Sequence, residues 1–132
     1  MLRATYSILG LLSLLSAGWM IISPVSWYAS FPGGVSDTGP LNTHFIRDLG
    51  LAWAIVSSVL LWCARYPGRC RSAHMMVTVY FTGHAAIHLA GILDGDLPAG
   101  HWLDDAVGVF IPALVLLVIA IPPVWRRLAP EK

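Results

Sequence analysis

The sequence predicts an all-α integral membrane protein, an antiparallel bundle of four spanning helices, and three observations lead there. Of the 132 residues, 57% are hydrophobic and only 11% charged, whereas a soluble domain carries about a quarter charged residues. The mean hydropathy is accordingly high, at +0.71. The apolar residues gather into four runs, at about 6–28, 44–63, 73–93 and 102–124, each near the roughly 20 residues that a spanning helix needs. The basic residues sort to one side of those runs, as they do in multi-pass proteins. The whole chain, 1–132, reads as a single four-span domain.

The first run follows Arg3 and invites comparison with a signal peptide. It exceeds the roughly 7–15 residues of such an apolar region and ends in the aromatic "PVSWYASF", so a retained helix is expected. Residues 29–43 then form a turn-rich outer loop, with Pro32-Gly33-Gly34 and Thr38-Gly39-Pro40 marking tight turns, that can fold over the bundle as a lid. Asn42 or Thr43 is placed to cap the second span, which opens with His44, Arg47 and Asp48 before an uncharged run. Cys63 and Cys70 flank the next loop without a CxxC or a ligand histidine beside them, and read as reduced thiols. The third span carries His84 and His88, and its small residues Gly83, Ala86, Ala90 and Gly91 suit close helix approach. The fourth follows His101 and contains Pro112, which cannot donate to the Gly108 carbonyl and predicts a kink.

Topology follows from charge. Arg3, Arg65, Arg69, Arg71, Arg126, Arg127 and Lys132 fall on one side with Glu131, while Arg47 faces six acids, Asp37, Asp48, Asp94, Asp96, Asp104 and Asp105, on the other. The positive-inside rule puts both termini in the cytoplasm, and the expected location is a bacterial inner membrane. Short loops make neighbouring spans antiparallel.

Ionisable groups concentrate at one depth. His44 and Asp48, His84 and His88, and His101 and Asp105 are each four residues apart, which puts each pair on one helical face. At 1.5 Å rise per residue, Asp48 and Asp105 lie roughly 6 Å inside their span openings, and His88 roughly 7 Å below the end of the third span. Asp48, His88 and Asp105 thus share a level in the extracytoplasmic half, with His44 and His101 above and His84 below. His74 lies at the cytoplasmic end, apart from them. A charged or imidazole group within the hydrocarbon costs several kcal/mol unless paired or coordinated. Converging imidazoles and carboxylates suit zinc, iron or copper. The expected ligand set is His84, His88 and His101 with Asp48 or Asp105 and His44 as an alternate, and Arg47, Asp104 and Asn42 behind them. The competing reading is a polar network that staples the helices.

At "NTHFIRDLGLAWA" the sequence resembles a group of small bacterial four-span membrane proteins whose second span opens with Asn-x-His-(Phe/Leu)-(Val/Ile)-Arg-Asp-(Leu/Ile/Val)-Gly. The likeness continues at "GHAAIHL", a His-xxx-His pair in span 3. It implies that Asn42, His44, Arg47, Asp48, His84 and His88 belong to one site, and it implies no particular activity. In spacing alone, His84, His88 and then His101 after twelve intervening residues are similar to the Asp-x3-His-x12-His copper pattern in a membrane subunit of particulate methane and ammonia monooxygenases. Here histidine stands in the first position. That likeness implies copper and oxygen chemistry.

Four functions remain open on the sequence. One is a membrane metalloprotein, with or without catalysis, whose metal serves hydrolysis or oxygen activation on a lipophilic substrate. The others are a haem-binding bundle, a proton or ion path, and an accessory subunit without enzymatic activity. The expected partners are the lipid bilayer, a lipophilic small molecule, and further copies of the chain or a larger membrane complex. Nucleic acid is not among them.

Overall fold

The computed structural model describes residues 1–129; Glu131 and Lys132 of the topology argument lie outside the described residues. Those residues form an all-α helical bundle without a strand. In chain order they form α1 (Leu2–Ile22), α2 (Pro24–Ser30), a 3-10 turn (Val35–Thr38), α3 (Thr43–Arg65), a second 3-10 turn (Pro67–Arg69), α4 (Arg71–Asp94), α5 (His101–Asp105), a π-helical turn (Ala106–Phe110), α6 (Ile111–Ala120) and α7 (Pro122–Leu128). Four stretches are long and apolar enough to cross a membrane: α1, α3, α4 and the last span, His101–Ala120. The bundle has a loop end, carrying residues 23–42, and a termini end.

Prolines account for the departures from the expected boundaries. The first span does not run unbroken to residue 28. It stops at Ile22, Ser23 turns out of the helical region (φ −137, ψ 68), and α2 restarts on Pro24 at its first turn, because a residue before proline avoids the helical conformation. Ile121 (φ −60, ψ 124) does the same before Pro122. The kink expected at Pro112 takes the form of a widened turn just upstream, where the Ile111 N–H donates to the Ala106 carbonyl five residues back. A π turn of this kind absorbs one residue out of register beside the donor that proline lacks.

Packing is closest between α1 and α3. A Cβ on Gly10 would come within 2.9 Å of Leu61, and one on Gly50 within 2.9 Å of the Met20 Cβ. Small residues let backbones approach where lipid offers no hydrophobic drive. The stripe expected in the third span is used differently: a Cβ on Gly83 would meet nothing within 4 Å, and one on Gly91 would meet only the side chain of Leu97. The helix α4 packs on α6 and on α3.

The main core lies toward the termini end and includes Tyr6, Leu60, Cys63, Phe81, Leu116 and Trp125. Within it the Tyr6 hydroxyl and His74 Nδ1 are hydrogen-bonded at 2.9 Å, the Thr78 hydroxyl donates to the His74 carbonyl, and the His74 ring lies against Trp125. Cys63 and Cys70 are buried free thiols. A smaller cluster of Met20, Trp27 and Ile46 closes the loop end. The outer surface is dominated by exposed apolar side chains such as Leu15, Ile22, Ile55, Val79 and Ile87. A surface of that kind fits a bilayer and not water.

Candidate metal centre

Three side chains converge at the loop end. His88 comes from the last turns of α4. Gly95, left-handed at φ 82, ends that helix and turns the chain back, so that α5 returns against it with His101 and Asp105 on one face. One ligand atom from each of His88, His101 and Asp105 lies within 4.8 Å of the other two. His88 Nδ1 is 2.7 Å from Asp105 Oδ2, a hydrogen bond, and His101 Nε2 is 3.5 Å from the same oxygen. His101 and Asp105 are buried.

His101 is the unusual member. Both its ring nitrogens are buried without a hydrogen-bond partner among the described residues, although an unsatisfied buried polar group costs about 1–3 kcal/mol. Each nitrogen nonetheless lies near a carboxylate: Nε2 near Asp105, and Nδ1 3.7 Å from Asp37 Oδ2. Asp37 belongs to the outer loop, which the sequence offered only as a lid and not as a source of site residues. Gly34, left-handed at φ 57, lets the loop sit on the imidazole, since a Cβ there would fall 2.8 Å from His101 Cε1. The Tyr28 hydroxyl donates to the Gly39 carbonyl at 2.7 Å and Thr38 to the Val35 carbonyl at 2.7 Å, fixing the loop in that position.

The other candidates fall at different distances from this centre. His84 lies one turn along α4, its ring 4.6 Å from that of His88 and edge-on to Trp53. His44 and Asp48 are not brought in. They contact each other at 3.4 Å, with side chains 89% and 65% exposed. The buried face of α3 is set by Ile46, Gly50 and Ser57, and Asp48 stands about 200° round the helix from both Ile46 and Gly50. It stands on the face of α3 opposite the buried one. Arg47 is not paired with a carboxylate among the described residues; its Nε donates to the Ile21 carbonyl at 3.2 Å, satisfying the last turn of α1. Asn42 caps α3 by accepting from the Phe45 N–H at 3.1 Å. Asp104 is exposed and faces a cavity beside Asp105.

That cavity, of about 670 Å³, adjoins His84, His88 and Asp105 and is otherwise walled mainly by apolar side chains of α1, α3, α4, the outer loop and the π turn. Fold and site together define a helical protein with four potential spans, a His/His/Asp group under a fixed loop with His101 and Asp105 buried and His88 half-buried, and a mostly apolar chamber beside it. The chain matches no protein-family model, no curated protein and no solved structure.

Proposed function

We propose that the protein is a multi-pass membrane metalloprotein in which His88, His101 and Asp105 hold one transition-metal ion. The observation that carries this reading is His101, a fully buried imidazole whose nitrogens have no hydrogen-bond partner among the described residues and lie 3.5 and 3.7 Å from carboxylate oxygens. Asp37 takes the place of the outer carboxylate that orients a metal-bound histidine. His84 stands in reserve one turn away. Two imidazoles and one carboxylate are the donor set of non-haem iron oxygenases and of hydrolytic zinc sites that keep a position open; copper also accepts these donors. Such an ion supplies a Lewis acid for hydrolysis or a redox centre for oxygen chemistry, and the adjoining chamber supplies a lipophilic substrate.

Asp105 reaches both imidazoles, which leaves no room for a porphyrin between them and favours an ion over haem. The positive-inside distribution supports an extracytoplasmic site in a bacterial inner membrane, with both termini in the cytoplasm. The motif shared with small bacterial four-span proteins then serves largely as frame: Asn42 caps α3 and Arg47 ties it to α1.

The test is metal content. Detergent-purified protein from metal-replete cells should carry about one zinc, iron or copper per chain, and a His88→Ala/His101→Ala variant of unchanged helicity should carry almost none. Equal content in both, or none in the wild type, contradicts the proposal and leaves the stapling network as the reading.

A further inference from the structure

We propose that the chamber takes a single long-chain lipophile with an uncharged oxygen head, an alcohol or a phenol, admitted sideways from the bilayer between α1 and the last span. The inference concerns the metal-free state of the chamber beside the proposed metal centre, and it stands whether or not that centre takes up an ion.

Size and lining come first. A volume of about 670 Å³ is within the ~300–1,000 Å³ that ligand pockets occupy, and a mostly apolar wall with a few polar groups is their usual chemistry.

The way in follows from the packing. The helix α1 packs on α3, and α6 on α4. The chamber takes its wall from α1 (Leu9, Leu12), α3, α4 and the last span (Val107, Val109), and of its sides the one between α1 and the last span is the sparsely packed one. Leu12 and Val107 also belong to the outer apolar surface, at 62% and 76% exposed. The chamber wall is therefore continuous with the lipid-facing surface. The π turn keeps this rim thin: Gly108 lines the chamber, and a Cβ there would meet nothing within 4 Å.

The head group is selected by charge. The charged residues lining the chamber are Asp104 and Asp105, and no Lys or Arg among the described residues joins them. A carboxylate or phosphate head would bring a third negative charge into an apolar enclosure, where like charges repel most strongly. A hydroxyl instead donates to Asp105 or an imidazole and accepts in turn. His84 lines the same wall with no hydrogen bond among the described residues, and is the natural first partner for such a head.

The experiment uses metal-free protein in detergent and 1-dodecanol carrying a photoreactive diazirine near its chain end. Saturable labelling should map to α1 and to residues 106–110, and excess 1-dodecanol should compete where dodecanoate does not. Gly108→Leu and, separately, Ser13→Leu should each weaken saturable labelling about tenfold by overfilling the chamber. One of the two retaining wild-type helicity and monodispersity suffices for the comparison; if neither does, competition by alcohol against acid decides alone. Diffuse labelling of all lipid-facing helices, or equal competition by dodecanoate, overturns the proposal. Alcohol labelling in a protein that takes up no metal would sink the metal centre and leave this inference standing; metal uptake without saturable labelling would do the reverse.

Discussion

His101 is the side chain through which the loop, the last span and α4 meet. One nitrogen is turned to Asp105 beside His88 and the other to Asp37, and in a metal-loaded site the second contact sets which nitrogen is free to coordinate. Asp37→Asn should therefore lower zinc affinity about 10–100-fold with no loss of helicity, as removal of an outer carboxylate does elsewhere. Titration of the two proteins side by side checks it, and unchanged affinity would reduce Asp37 to a loop residue. The spacing of His101 and Asp105, and of His84 and His88, was legible because a four-residue interval fixes a shared face. Asp48 misled because depth was read without azimuth, and azimuth is decided by packing at Ile46 and Gly50. Asp37 was illegible as a site residue, since periodicity says nothing of the path of a loop.

The elements divide into a tightly joined pair and a more open one. Gly10 and Gly50 hold α1 and α3 together, so Gly50→Leu should destabilise the bundle by about 1–3 kcal/mol through overpacking. Gly83→Ala, facing open space, should instead be neutral or stabilising by up to about 1 kcal/mol from helix propensity alone. Thermal unfolding in detergent followed by circular dichroism separates them, and similar losses at both positions would refute the packing described. At the termini end Tyr6 ties α1 to α4 through His74, and Tyr6→Phe should cost about 1–3 kcal/mol by leaving a buried imidazole nitrogen unpaired; an unchanged melting temperature would contradict that. The four long helices were legible from length and apolarity, and a disturbance at Pro112 from its missing donor. The form of that disturbance was not legible, because a missing donor can be absorbed as a bend or as a widened turn.

The molecule as a whole is organised by its two ends. The termini end is filled by apolar side chains and the satisfied Tyr6–His74 pair. The loop end carries the incompletely bonded histidine, the carboxylates and the chamber. Stability is thus concentrated at one end, and unused bonding capacity at the other, which is where function is sought. The distinction between His101, buried and unbonded, and His44, four residues from its own carboxylate but exposed, gives the sharpest trial of this division. Metal-free protein in detergent is titrated calorimetrically with zinc, alongside His101→Ala and His44→Ala. One site per chain in the wild type, retained by His44→Ala and lost in His101→Ala, is the predicted result. Absence of binding in the wild type, or loss in His44→Ala with retention in His101→Ala, would contradict it.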